Sequence, residues 1–336
     1  MMKKVCIYVN SKNPYDSIFL QTQLLSNLLK KKLGVVPFFI DKGEFNFYLN
    51  KCEYIILFPY GSFSFDLLFK SRLSNVILIY HNITPAKYFW TTEPLVAVRA
   101  IMGRLQLRLL SKKISKVVAV SEYNRIELTS LGFKNPLMCP NIITRQESTS
   151  VPKTTNPSLL YVGRIVQNKD CVNLLQIVIN VANKLNSPID FYVVGNGKEK
   201  SRYYKKFAYL LKKTSLLSNL SVYWYNKIDD KELASLYQKN WLYVTLSKHE
   251  GFGLPVCEAI NNGTPAIYSA CGGQEQVLDN IGIVDKQNFE SEIIELLKDN
   301  QKRQNLLLRQ KEVIQKYMNP QIDETIKNIY RVIIED

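Results

Sequence analysis

Short apolar runs alternate along the chain with longer stretches whose apolar residues recur at helical spacing. In the first half the runs fall at residues 5–9, 36–40, 54–57, 76–80 and 117–120, each of strand length. The stretch 17–31 between two of them sets Leu20, Leu24, Leu25 and Leu28 at helical spacing. Such alternation predicts parallel sheets with crossover helices. It pauses at residues 144–157, which are almost without apolar side chains and read as a linker. It restarts with runs at 159–162, 191–194, 222–225, 242–246, 266–268 and 281–284, so a second α/β domain follows. The last pattern, 321–334, is helical with no strand after it. The expected division is therefore 1–145, 146–320 and a terminal helix at 321–336 that packs back on one of the domains, the N-terminal one being the first choice.

The chain has 336 residues, 46% hydrophobic and 22% charged, which suits about two globular domains and excludes disorder as the dominant state. Its six cysteines (Cys6, Cys52, Cys139, Cys171, Cys257 and Cys271) form no C-x-x-C pair, and there are only two histidines. That excludes a zinc site or a disulfide framework and suits reduced core thiols. The apolar run after Met1-Met2-Lys3-Lys4 is too short for a signal-peptide core, and no stretch reaches the length of a spanning helix. The expected location is cytoplasmic, with room for a peripheral place at the inner face of the membrane.

Net charge is +15 and unevenly spread. Residues 1–150 hold 20 basic and 9 acidic side chains, a net of +11, and residues 151–336 hold 24 and 20, a net of +4. A basic half suits an anionic partner: a membrane surface, a phosphorylated substrate or nucleic acid. In 95–116, Val98, Ile101, Met102, Leu105 and Leu109 recur at helical spacing, while Arg104, Arg108, Lys112 and Lys116 follow every four residues on another face. This is either a basic amphipathic surface for an acceptor or an anionic bilayer, or a core-packing helix with a solvated basic face. No nucleic-acid-binding motif accompanies the charge, so no nucleic-acid partner is expected.

Three segments carry candidate chemistry. In Ser247-Lys-His-Glu-Gly-Phe-Gly-Leu-Pro-Val-Cys-Glu-Ala-Ile260, an apolar run leads through a glycine loop into a helical pattern. Gly251 and Gly253 allow a tight turn and close ligand approach, and Pro255 suits the first helical position. The amides at such a helix start favour an anion or a sugar oxygen. Glu250 in the loop and Glu258 one turn into the helix can face one crevice at the strand ends. After the strand that ends at Gly163, Arg164 and Lys169 offer a planar fork and a point charge for a diphosphate, or are two surface cations. The strand 191–194 runs into Gly195-Asn196-Gly197, a close-approach turn lacking the third glycine and acidic partner of a dinucleotide fingerprint.

Taken in order, Gly163-Arg164…Lys169, Gly195-Asn196-Gly197 and Glu250-Gly-Phe-Gly-Leu-Pro-Val-Cys-Glu258-Ala resemble the C-terminal domain of glycosyltransferase family 4. So do Asn262-Gly263-Thr264-Pro265-Ala266, Cys271-Gly272-Gly273, Val120-Ser121-Glu122-Tyr123 and Pro140-Asn141. The resemblance covers roughly residues 76–285 and is loose before that. Ile79-Tyr80-His81-Asn82-Ile83-Thr84-Pro85 is similar to members that build bacterial surface polysaccharides such as O-antigens. The resemblance implies two Rossmann-like domains facing across a cleft (the GT-B fold) and a retaining transferase using a nucleotide-diphosphate sugar.

What the resemblance implies for the site is specific. Arg164, Lys169, Gly195, Gly253 and Leu254 would bind the donor, and Glu258 would accept hydrogen bonds from its ribose. Glu250 and His81 would act on the donor sugar, His81 from the N-terminal domain. The acceptor would be a glycan or lipid-linked glycan. Three departures stand out. The loop Asn10-Ser-Lys-Asn-Pro-Tyr-Asp16 replaces a glycine-rich one. Gly272-Gly273-Gln274-Glu275-Gln276 stands where members often read Gly-Gly-x-Pro-Glu. No Asp-x-Asp occurs, and Asp229-Asp230 followed by Glu232 reads as a helix cap, so neither metal nor cofactor is expected. Another enzyme on the same fold, such as a sugar-nucleotide epimerase or a phosphorylase, and a non-catalytic nucleotide-sugar-binding subunit remain alternatives.

Overall fold

Every residue of the strand Val76–Tyr80 and every residue of Ile189–Val194 is buried, as parallel strands covered on both faces require. A computed structural model describes residues 4–10, 16–143, 151–185, 187–318, 326–327 and 330. Residues 11–15 of the atypical first loop, 144–150 of the expected linker and most of the expected terminal helix lie outside the described residues. Two compact units emerge. One draws on Met1–Ala86, Leu95–Ile142 and Lys316–Asp336, the other on Lys87–Pro94 and Ile143–Gln315.

The first unit holds β1 (Lys4–Tyr8), α1 (Ser17–Leu33), β2 (Phe38–Ile40), α2 (Lys42–Leu49), β3 (Tyr54–Tyr60), β4 (Val76–Tyr80), α3 (Pro94–Leu110), β5 (Lys116–Ala119), α4 (Glu122–Ser130) and β6 (Leu137–Met138). Its strands are all parallel, in the order β2-β1-β3-β4-β5-β6. Neighbours in β1 point to opposite faces. Tyr8 joins Phe45 and Phe58 on one side, and Ile7 joins Leu25, Leu29 and Ile79 on the other. Ile326 packs into the second of these clusters. Asp16 opens α1 by accepting from the Ile18 amide, and Gly34 ends it in the left-handed region at φ 68°.

The second unit holds β7 (Ser158–Val162), α5 (Cys171–Leu185), β8 (Ile189–Val194), α6 (Arg202–Thr214), β9 (Leu220–Tyr225), α7 (Asp230–Lys239), β10 (Leu242–Thr245), α8 (Leu254–Asn261), β11 (Ala266–Tyr268), α9 (Gly273–Val277), α10 (Phe289–Lys298) and α11 (Asn300–Ile314). Its parallel strands run β11-β10-β7-β8-β9. Asp229 caps α7 through the Glu232 amide, as its sequence suggests. The expected strand at 281–284 is reduced to a single bridge between Tyr268 and Ile283. Positive φ at Asp279, Asn280 and Gly282 turns the chain too tightly there for a ladder.

Residues 87–94 lie in the first half of the sequence yet belong to the second unit. Polar bonds hold them there. Tyr88 donates to the Lys248 carbonyl at 3.0 Å, and the Thr91 and Thr92 hydroxyls both donate to Gln167 Oε1. Glu93 pairs with Lys198.

Candidate active site

In the second sheet the strand order reverses between β7 and β10. Open α/β sheets bind ligands at such a reversal, beyond the carboxyl ends of the strands. The two glycine-flanked loops singled out in the sequence leave these two strand ends. Their side chains meet. The Lys169 ammonium pairs with the Glu250 carboxylate, each side chain 15% exposed. The Lys248 amide donates to the Asn168 carbonyl at 2.7 Å, which ties the loops at backbone level. Lys248 Nζ also reaches Asp170 Oδ1 at 3.0 Å, and Asp170 is almost fully enclosed.

Glu258 sits one turn into α8, partly exposed. The Tyr237 hydroxyl donates to its Oε2 at 2.9 Å. Burial pushes the Glu258 carboxyl up to about 7, against the pull of the Tyr237 hydrogen bond. Tyr243 donates to the Val162 carbonyl at 3.0 Å. Burial first, then the field of Glu250, holds its phenol well above the usual range, with Glu258 adding to the effect. The two carboxylates of the motif therefore share one neighbourhood. Gly253 is the cap of α8 without a side-chain cap bond, Leu254 is the first helical residue, and Pro255 is the second rather than the first. Helix starts of this kind present amides without intrahelical partners.

Close backbone packing explains the glycines. A Cβ on Gly195, at φ 142°, would sit 2.1 Å from the Gly163 carbonyl oxygen. A Cβ on Gly273 would sit 2.1 Å from the Gly251 carbonyl oxygen. The second contact lets the Gly273 amide donate to the Glu250 carbonyl at 2.9 Å while the Glu250 amide donates to Cys271. Glu275 accepts from the Cys271 and Gly272 amides and so holds this loop's backbone. Gln274 lies against Gly253, and its buried Nε2 makes no hydrogen bond.

Arg164 is exposed, and its carbonyl accepts from the Tyr161 hydroxyl at 3.1 Å. His81 belongs to the first unit, at the end of β4, where its amide donates to the Tyr60 carbonyl. Burial lowers its imidazole to about 4, so it is neutral at pH 7.

The cationic row 104, 108, 112, 116 is not one helical strip. Helix α3 stops at Leu110, leaving Lys112 in the following turn and Lys116 at the start of β5. Arg104 is drawn inward by Glu127 and donates to the Ile83 carbonyl at 2.6 Å. Arg108 stays exposed.

Sequence reasoning missed Tyr237, Tyr243, Asp170 and Gln274. Asp170 directly follows Lys169, and its left-handed φ of 53° fits a short polar residue. The two tyrosines carry no local signal, since each reaches the site from another element.

The sequence matches the family model described as "Glycosyl transferases group 1" over residues 143–312, half of the chain. It is 26% identical over 202 residues to the amylovoran biosynthesis glycosyltransferase AmsD of Erwinia amylovora, covering 56% of this chain and 54% of that protein. The chain spans about half the length, or less, of the curated relatives it matches. Among solved structures it resembles sucrose-phosphate synthase from Thermosynechococcus elongatus, with a TM-score of 0.76 at 17% identity and 98% coverage of both chains. It also resembles Anabaena HepE, solved "in complex with UDP and glucose", with a TM-score of 0.70 at 14% identity and 99% coverage of both chains. These similarities establish the fold: two parallel-sheet α/β domains of GT-B type.

Proposed function

The chain belongs to the group 1 glycosyl transferases, and we propose that it is a retaining, family 4 enzyme of bacterial polysaccharide assembly, of the O-antigen kind. In this reading it moves a hexose-type sugar from a nucleotide-diphosphate sugar to a glycan or lipid-linked glycan. The observation that carries it is the meeting of Lys169 with Glu250 at the strand-order reversal, with Glu258 one turn into the adjoining helix. The name of AmsD supports the polysaccharide part, and the UDP and glucose held by HepE support the donor class.

The bond from the anomeric carbon to the phosphate oxygen breaks, leaving negative charge on the diphosphate and positive charge on the sugar. Arg164, Lys169 and the amides beside Gly253 and Leu254 stabilise the first, in a site where placed charge is worth more than in water. Glu250 faces the second. Glu258 accepts from the ribose hydroxyls, with Tyr237 setting its orientation. His81 keeps the role that the resemblance gives it. The acceptor oxygen bonds to the anomeric carbon on the face that the phosphate leaves, and the acceptor's proton passes to the departing phosphate oxygen. No enzyme nucleophile and no metal are needed for this step. Meeting an acceptor at an anionic membrane, at its inner face, is part of the same proposal.

Incubating the purified chain with UDP-, GDP- and dTDP-sugars, with and without lipid-linked glycans, tests the reading. Acceptor-dependent release of one nucleoside diphosphate, with the anomeric configuration kept in the product, is expected. Binding of a nucleotide sugar with no turnover under any acceptor condition would replace it with the non-catalytic reading.

A further inference from the structure

Helix α3 buries its small face. Ala97, Ala100, Gly103, Leu107 and Leu110 are buried, and a Cβ on Gly103 would come within 2.9 Å of the Phe63 amide nitrogen. The opposite face is apolar and bare. Val98, Ile101, Met102, Leu105 and Leu109 are between 38% and 63% exposed, spaced three or four residues apart on one side. Segment 63–70 runs beside the helix. Gln106 bonds both backbone groups of Ser64, and Lys113 donates to the Lys70 carbonyl. That segment adds Phe65 at 67% and Phe69 at 91% exposure.

Along the helix and the turn after it the charge has one sign; Asp66, between Phe65 and Phe69, is half-buried and accepts from the Tyr8 hydroxyl. Between Glu93 and Glu122 the sequence has six basic residues and no acidic one. Arg99 and Arg108 are exposed on the helix, and Lys112 and Lys113 are exposed just beyond its end. An aliphatic row bordered by cations is the layout of a helix lying in the plane of a bilayer surface, apolar side down. Pairing with a second copy through this helix would set its cations against their own kind, with no acid on the helix to offset them.

We infer that the exposed face of α3, with Phe65 and Phe69, docks the chain on an anionic lipid bilayer, the aliphatic row entering the headgroup boundary and the arginines and lysines meeting lipid phosphates. This deepens the membrane part of the proposed function and rests on that reading only for the acceptor's location.

Sedimentation of the full chain with vesicles of phosphatidylcholine alone, or mixed with phosphatidylglycerol, decides it. The wild type is expected to pellet with the mixed vesicles, less so as salt rises. Changing Val98, Leu105 and Leu109 together to Gln should cut partitioning at least about tenfold on both vesicle types. Changing Arg99, Arg108 and Lys112 to Gln should remove the preference for the anionic vesicles and its salt dependence. All six are exposed, so circular dichroism and melting should match wild type, and UDP affinity by calorimetry should be unchanged. Loss of UDP binding in the wild type would count against the donor reading and leave this inference standing. Wild-type chain that stays in the supernatant, an aliphatic variant that binds as wild type does, or a wild-type dimer that this variant dissolves would each overturn it.

Discussion

The Lys169 ammonium and the Glu250 carboxylate close an ion pair between the loops that leave β7 and β10. Both are mostly buried, so neither charge is left to water alone. A diphosphate arriving at Lys169 meets a cation already engaged. On the proposed function, Glu250 would position Lys169 before the donor binds, and its own charge would oppose the incoming phosphates.

Glu250→Gln separates these effects. It removes the repulsion and frees the ammonium, so UDP should bind unchanged or about two- to tenfold tighter. Sugar transfer should fall by at least about a hundredfold, because the developing positive charge loses its partner. Lys169→Met should instead weaken UDP by about tenfold or more. Calorimetry beside turnover checks both. If Glu250→Gln weakens UDP as much as Lys169→Met does, the pair acts as one binding unit and the separation fails.

Arg164 is exposed, and its contribution should depend on salt. Arg164→Ala is expected to weaken UDP by about ten- to a hundredfold at low salt and to leave uridine nearly unchanged. Equal losses for the nucleoside and the nucleoside diphosphate would place the guanidinium away from the phosphates.

Gly195→Ala drives a methyl group into the Gly163 carbonyl at a φ that L residues rarely adopt. A loss of about 3 kcal/mol or more in denaturant unfolding is expected. Gly273→Ala strikes the Gly251 carbonyl, inside the loop that carries Glu250. It should lower UDP affinity as well as stability. A Gly195 variant as stable as wild type would mean that the two loops can part without cost.

Much of this arrangement is legible in the sequence because it is local. Glu250 and Glu258 lie eight positions apart around one glycine turn, so a single strand-loop-helix unit sets their geometry. Tyr237 is not legible. It reaches Glu258 from α7, and no spacing within the motif indicates a hydroxyl there. Helix α3 shows a different limit. Periodicity reveals that Val98, Ile101, Leu105 and Leu109 share a face, but not that the face of Ala97, Ala100 and Gly103 is the buried one. Small residues win because the helix must approach segment 63–70 at backbone distance. The strand β6 escapes detection because two residues are too few to make a pattern.

Transfer should persist in EDTA. The sequence has no Asp-x-Asp, and on the proposed function Arg164 with Lys169 would supply the positive charge that a divalent ion gives elsewhere. Complete loss of transfer in EDTA, restored by magnesium or manganese, would overturn this.

On the proposed function, the raised Glu258 carboxyl would make donor binding a function of pH. Burial raises the Glu258 carboxyl from its ordinary 4.5 to about 7, and the Tyr237 hydroxyl holds it from rising further. With Glu258 on the ribose as proposed, only the ionised carboxylate would accept from both hydroxyls, so donor affinity should decline below pH 7, at most about tenfold per pH unit. Tyr237→Phe removes the hydroxyl that favours the charged form and should move the midpoint upward. The stability effect runs the opposite way. Between 4.5 and 7 the folded chain holds this proton and the unfolded chain does not, so stability from this group falls as pH rises through that window. Above 7 the ionised, desolvated carboxylate bears its full cost. Glu258→Gln lacks that cost, and its melting temperature relative to wild type should rise from pH 5 to pH 8 even as it binds the donor more weakly. Calorimetric UDP titrations across this range, for wild type and Tyr237→Phe, make the check. A midpoint near 4.5, unmoved by the substitution, would mean that water reaches Glu258 freely and that Tyr237 does not hold it.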